Sequence, residues 1–262
     1  MPRSIALAAL AVFLCVGGFW QPHDPDAVDM LARHSGMTAS HLLGTDHLGR
    51  DLLSRIMAGG WRTACVILSV GAIGFCAGTL LGTAAAVLGG WREKVILRFC
   101  EFFIMVPTLI VALTAAAIFG LSPLSAGLAL GLAGVGPHAL LAHSLSQRVL
   151  GKPFMLAARS LGVAPARMIT RHLLPNTLPL MFAYVGNQAG LAAVAYASLA
   201  FIGLGADPSK PDWGSMLFEY RVFIFDHPML MVWPGTAVAM TVSVMNRVFD
   251  DGQEGLRFRL VS

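Results

Sequence analysis

Long apolar runs separated by short polar segments dominate the chain. They fall at about 4–20, 64–89, 96–119, 122–143, 178–204 and 230–249. A helix needs about 20 apolar residues to cross the hydrocarbon of a bilayer, so the pattern predicts about six transmembrane helices and an all-α polytopic membrane protein. The first run is short and follows Met1-Pro2-Arg3, as a secretory signal would. It ends in Gly17-Gly18-Phe19-Trp20 with no A-x-A-like cleavage site, so an uncleaved span with an interfacial Trp20 is expected. The expected organisation is an N-terminal transmembrane helix over 1–20, a polar loop over 21–63, a five-helix core over 64–249 and a tail over 250–262.

Two segments interrupt this pattern with structure of their own. In "FMLAARSLGVAPARMITRHLLP" (154–175), Phe154 to Leu161 is helix-prone, and Gly162 stands where a left-handed helix stop is easiest. Pro165 can open a second helix at its first position, where its missing N–H costs nothing. That helix is expected to end near Leu174, before Pro175. Arg167 and Arg171 lie four apart on one face, with Met168, Ile169, His172 and Leu173 as an apolar patch. The segment thus predicts a short amphipathic helix-turn-helix within a loop over 152–176; the alternative is a solvated loop whose arginines only set orientation or touch lipid phosphates. In "HLLGTDHLGRDLLSRIMAGG" (41–60), Gly44 and Gly49 form turns, and Leu52, Leu53, Ile56 and Met57 recur at helical spacing after a capping Asp51. His41, Asp46, His47 and Asp51 carry metal-ligand chemistry, but one short polar turn rarely closes a site, so interfacial structure is expected there. A second polar loop spans 205–229.

Charge fixes the expected orientation. With the N-terminus in the cytoplasm, alternate loops place twelve Lys and Arg inside and six outside, while nine acids lie outside and five inside. Short loops rich in Lys and Arg stay cytoplasmic, so both termini are expected inside and 152–176 is expected to be a cytoplasmic loop. Only 12% of the residues are charged and 56% are hydrophobic, about half the charge of a soluble domain. The net charge of +4 is spread along loops rather than gathered on a polar domain, which argues against nucleic acid as a partner. Cys15, Cys65, Cys76 and Cys100 all sit in apolar runs without C-x-x-C spacing and read as small packing residues.

Small residues recur at spacing four within the runs: Gly74, Gly78 and Gly82, then Gly127 and Gly131, then Gly186 and Gly190. Such ridges let helix backbones approach closely in lipid. The polar exceptions are His138, Asn187 and Gln188, which either line a pathway or hydrogen-bond between helices. No phosphate loop, G-x-S-x-G, H-E-x-x-H or buried carboxylate pair is present, so no catalytic, cofactor or metal site is expected in the chain. Uphill transport would draw its energy from another chain.

With these residues in view, the chain resembles the inner-membrane permeases of binding-protein-dependent ABC importers of the dipeptide/oligopeptide/nickel class. "LGTDHLGRDLLSR" (43–55) is similar to that family's periplasmic signature through Gly44, Thr45, Asp46, Gly49, Arg50 and Asp51. "LAARSLGVAPARMITRHLLPN" (156–176) resembles its cytoplasmic EAA loop: Ala157, Ala158, Gly162, Ile169, His172 and Pro175 match, and Leu156 stands at the glutamate position. "FIGLGADPSKPDWGSML" (201–217) and "WPG" (233–235) are further landmarks. The resemblance implies a type I importer bundle whose coupling helix docks on a cytoplasmic ATPase, with Arg159, Arg167 and Arg171 on the docking loop. It implies as partners a second permease subunit in a heterodimer, two ATPase subunits that hold ATP and magnesium, an extracytoplasmic binding protein and membrane lipid, all at the bacterial inner membrane. The implied cargo is nickel, a metal chelate or small peptides, with "GTDHLGRD" and "DHPMLMVWPG" (226–235) leaning toward metal; His23, His41, His47 and His227 lie on the expected outer side. A stand-alone channel or secondary carrier is the different class, and it would need titratable groups at mid-membrane.

Overall fold

The computed structural model describes residues 2–203 and 210–261, so part of the landmark stretch 201–217 lies outside the described residues. Among the described residues the named elements are all helical: α1 (Pro2–Val16), α2 (Leu52–Ile73), α3 (Thr79–Leu88), α4 (Gly90–Met105), α5 (Thr108–Phe119), α6 (Pro123–Leu150), α7 (Pro153–Ser160), α8 (Pro165–Met168), α9 (Leu174–Ile202), α10 (Trp213–Tyr220) and α11 (Met229–Val261). Wide π turns over Gly74–Gly78 and Ile169–Leu173 join α2 to α3 and α8 to α9. Among the described residues four continuous helices, Leu52–Leu88, Pro123–Leu150, Pro165–Ile202 and Met229–Phe249, are long and apolar enough to cross a membrane. The apolar part of α1, Leu7–Val16, is shorter than a full span.

Four expected boundaries move. The run 96–119 is not one straight helix. Pro107 has no N–H and drives Val106 into an extended conformation (φ −87°, ψ 121°), and α4 and α5 meet at a 75° bend. The helix begun at Pro165 does not stop before Pro175. Across the π turn Leu174 N–H donates to the Ile169 carbonyl, and the Asn176 and Thr177 side chains donate to the His172 and Leu173 carbonyls at 2.7 and 3.0 Å. Finally, the span expected from residue 64 starts twelve residues earlier, at Leu52, because the polar residues that suggested a loop are paired within the fold. The expected tail, too, continues α11 as helix to Val261.

The chain divides into two compact units. The first comprises Met1–Leu68, Ala112–Gly127 and Ala189–Val248. Its core gathers Leu14, Leu52, Ile56, Trp213, Met216, Tyr220 and Leu230. Gly59 lets the Trp213 ring lie against α2, where indole Nε1–H donates to the Ile56 carbonyl at 2.8 Å. The second comprises Ser69–Val111, Leu128–Gln188 and Phe249–Ser262. Ala86, Val149, Leu150, Met155, Met168 and Leu173 form one of its cores; Ala142, Leu145 and Met181 form another.

Candidate functional site: a basic loop and a buried charge cluster

In the second unit, α7 and α8 build the basic loop. Pro153 and Pro165 each occupy the first helical turn, and Gly162 (φ +71°) ends α7. Val163 N–H donates to the Ala158 carbonyl at 3.2 Å and Gly162 N–H to Arg159 at 3.0 Å, the paired pattern of a glycine-terminated helix. Met155, Ala158, Met168 and Leu173 point into the core and anchor the loop. The opposite face is exposed: Leu161 is 83% accessible and Leu156 55%, alongside Ala157, Arg159, Arg167, Arg171 and Pro175. Ile169 and His172 are half-buried, the latter with its ring 6.2 Å from Phe154. The expected helix-turn-helix is therefore present as an apolar and cationic surface without an acid.

His138 is fully buried on α6. Its Nδ1 bonds to the Gly134 carbonyl of its own helix at 2.7 Å, and its ring meets Tyr184 edge-on at 4.8 Å. Gly74 and Gly78 supply the room, since a Cβ at Gly74 would lie 2.9 Å from the imidazole. Asn187 and Gln188 are half-buried on α9.

The first unit holds a charge cluster around the signature segment. Thr45 and Asp51 pair as an antiparallel bridge, Gly44 (φ +81°) and Gly49 (φ +77°) turn the chain, and Asp51 caps α2 by accepting Ser54 N–H at 2.8 Å. Asp46 is wholly buried. Its carboxylate accepts from Leu48 N–H (2.8 Å), Arg50 N–H (3.0 Å), Arg50 Nε (2.7 Å) and the Tyr220 hydroxyl (3.0 Å). Burial pushes this carboxyl up, but the Arg50 charge and the two backbone N–H groups together hold it below the usual carboxylate range. Arg50 Nη2 reaches Glu219 at 2.5 Å, and Arg55, 1% exposed, donates to the Pro25 carbonyl at 3.1 Å and to Glu219 at 3.5 Å. Two carboxylates thus face two guanidiniums. Asp212 caps α10 through Gly214 N–H at 3.0 Å, and Arg62 Nε lies 3.8 Å from its other oxygen; burial pushes this carboxyl up.

Sequence reading singled out Asp46, Arg50 and Asp51 but not Arg55, Glu219, Tyr220 or Asp212. The signal available was the spacing of Trp213, Met216 and Tyr220, which puts one face of α10 in the core. The suggested set His41, Asp46, His47 and Asp51 does not assemble. Asp46 is taken by Arg50 and Tyr220, and His47 stacks on Phe223 at 5.1 Å.

His34 and His47 border the cluster, and His34 stacks on His227 at 3.9 Å. Burial first, then His227, Arg33 and His47 against a weaker pull from Asp46, lowers the His34 pKa. Burial also lowers that of His47, outweighing Asp46 and Glu219 with help from Arg50 and Arg55. A histidine whose folded pKa lies below its unfolded value of about 6.5 stabilises fully above that value, and the contribution is lost as pH falls from there through the folded pKa. The midpoint of thermal unfolding in detergent is expected to drop between pH 7.5 and 5.5, and to drop less in His47→Gln. Equal drops in both proteins would contradict the assignment.

A family of known proteins, the binding-protein-dependent transport system inner membrane component, matches residues 78–260. The chain belongs to that family. It is 32% identical over 255 residues to the probable D,D-dipeptide transport system permease protein DdpC of Escherichia coli (strain K12), covering 96% of this chain and 85% of that one. It is 30% identical over 263 residues to the nickel transport system permease protein NikC of the same strain, covering 98% and 93%. It is 29% identical over 265 residues to the glutathione transport system permease protein GsiD of Pectobacterium atrosepticum, covering 99% and 88%. As a binding-protein-dependent permease of the dipeptide, nickel and glutathione class, the chain is an ABC importer component and a multi-pass membrane protein. Exposed Leu68, Leu80, Ile118 and Leu124 on its helices suit contact with lipid.

Proposed function

We propose that the chain forms half of the translocation pathway of an ATP-driven importer, pairing with a second permease subunit and receiving cargo from an extracytoplasmic binding protein. It performs no chemistry itself; two partner ATPases bind ATP and magnesium and move it through the basic loop. The observation that carries this reading is the exposed face of α7 and its turn. Leu156, Leu161, Arg159, Arg167 and Arg171 sit in water on a loop anchored by Met155, Ala158, Met168 and Leu173. Exposed apolar groups ringed by charge mark a docking surface; with Leu156 at the family's glutamate position, any salt bridge made through that acid is absent. The loop then lies in the cytoplasm, with both termini, as the distribution of Lys and Arg supports. His138, Asn187 and Gln188 are the pathway candidates.

The cargo proposed is nickel or a metal chelate, supported by the likeness to NikC. Small peptides are the second reading, supported equally by the likeness to DdpC and GsiD. The test is uptake of radioactive nickel and of labelled dipeptide in a strain lacking the gene. Restoring the full chain is expected to restore one of the two, and a chain lacking 154–175 is expected to insert in the membrane, bind no ATPase and restore neither. Undiminished uptake or ATPase capture by the shortened chain would refute the coupling role; dipeptide uptake without nickel uptake would decide the cargo for peptides.

A further inference from the structure

The polar loop between α1 and α2 brings together three groups that the charge cluster does not consume. His41 Nδ1 lies 2.9 Å from Asp51 Oδ1, and His23 Nδ1 lies 3.8 Å from Asp51 Oδ2. The two imidazole rings approach with centroids 4.8 Å apart and planes 35° from parallel. One donor atom from each of the three residues lies within 4.8 Å of the other two.

The arrangement is held from behind. Asp51 Oδ2 accepts the Ser54 N–H at 2.8 Å and the Ser54 hydroxyl at 2.7 Å, and the same hydroxyl oxygen accepts the His23 backbone N–H at 3.0 Å. Ser54 is fully buried and Asp51 nearly so, so the start of α2 sets the carboxylate's orientation and the chain position of His23 together. These bonds occupy Oδ2 and leave Oδ1 facing His41. The His23 side chain remains 42% exposed, which gives an ion a way in and leaves the ring free to turn.

We propose that His23, His41 and Asp51 form a binding site for a divalent transition metal of the nickel or zinc kind. Imidazole with a single carboxylate suits these ions, whereas magnesium and calcium take shells built from oxygen. Metal–ligand bonds of about 2.0–2.2 Å place the donors of one ion about 3–3.5 Å apart, so His41 and Asp51 already stand at that spacing and His23 must move in. Rotation of the exposed His23 ring supplies that movement, and the ion takes the place of the hydrogen bond between His41 Nδ1 and Asp51 Oδ1. Hydrogen bonds that hold a ligating carboxylate, as Ser54 does here, raise affinity by fixing its orientation. Three protein ligands leave further positions open to water or to a chelator's donors, an arrangement suited to reversible capture. The site is independent of which cargo the importer moves.

The test uses untagged full-length protein in detergent, titrated calorimetrically with nickel, zinc or magnesium ions. One saturable nickel or zinc ion per chain is expected, with no response to magnesium. Affinity is expected to fall about tenfold or more in His23→Ala and in His41→Asn, while the unfolding midpoint of metal-free His23→Ala stays at the wild-type value. His227→Ala is expected to bind as the wild type does, and X-ray absorption of the nickel-loaded protein to report two imidazoles. Absence of saturable binding, binding undiminished in His23→Ala, or loss in His227→Ala would overturn the site and leave the permease assignment untouched.

Discussion

Replacing Arg55 by methionine is expected to destabilise the first unit by about 1.5–3 kcal/mol, the range for losing hydrogen bonds to a charged group, because the buried Asp46 and the partly exposed Glu219 must then share one guanidinium. Arg55 is 1% exposed and fills the space between Pro25, Asp46 and Glu219. Methionine fills the space along the arginine stem but ends short of the guanidinium, so the main loss is of the charge and of the hydrogen bonds to Glu219 and the Pro25 carbonyl. Arg50 alone would then face both Asp46 and Glu219. Truncating both sides of the pair relieves that imbalance. The double variant Arg55→Met, Glu219→Gln is therefore expected to be markedly more stable than the sum of its single changes predicts. Residues sharing one ion-pair network couple by about 0.5–3 kcal/mol. Thermal or denaturant unfolding in detergent measures all four proteins. Additivity of the two single changes would show that the cluster is an incidental gathering of charges.

That cluster also shows where sequence reading stops. Hydrophobic length located the helices because the bilayer's thickness leaves few alternatives. Gly162 and Pro165 located the ends of α7 and α8 because each acts through its own backbone, with φ +71° at the glycine and a proline at the first helical turn. Asp51 as the cap of α2 is legible for the same reason. The misplaced boundaries come from interactions at long range. Arg55 looks like the polar face of an interfacial helix and Arg62 like a loop residue until Glu219 and Asp212, more than a hundred residues away, are placed beside them. Pro175 looks like a terminator because a π turn leaves no mark in composition. Pro107 is the exception: its break was local and could have been read. The loop ligands His23, His41 and Asp51 were only partly legible, since the Ser54 hydroxyl that ties His23 to Asp51 announces nothing by its spacing.

Substituting valine for Gly82 is expected to prevent the second unit from packing, while alanine at Gly235 leaves the protein intact. A Cβ at Gly82 would fall against the Ala139 carbonyl oxygen, 2.8 Å from the Ala142 Cβ and 2.8 Å from the His143 nitrogen. Two of these three atoms belong to the backbone of α6, so no rotamer change relieves the contact; the helices must separate. Separation would also pull Gly74 and Gly78 away from His138, whose ring they accommodate. Overpacking typically costs about 1–3 kcal/mol in a core that can yield, and this contact lies above that range because a main-chain oxygen cannot. In lipid there is no hydrophobic drive between helices to compensate, since close backbone approach is itself what holds them. Removing the one side chain involved, with Ala142→Gly, is accordingly expected to rescue nothing. At Gly235 the nearest neighbour of an added Cβ is Leu217 Cδ2 at 4.0 Å, an ordinary contact. Alanine there gains helix propensity of about 1 kcal/mol. The comparison is read as the fraction of each variant that elutes as a single species in mild detergent and resists limited proteolysis. Wild-type behaviour of Gly82→Val, or its rescue by Ala142→Gly, would mean that the glycine ridge does not set the distance between α3 and α6.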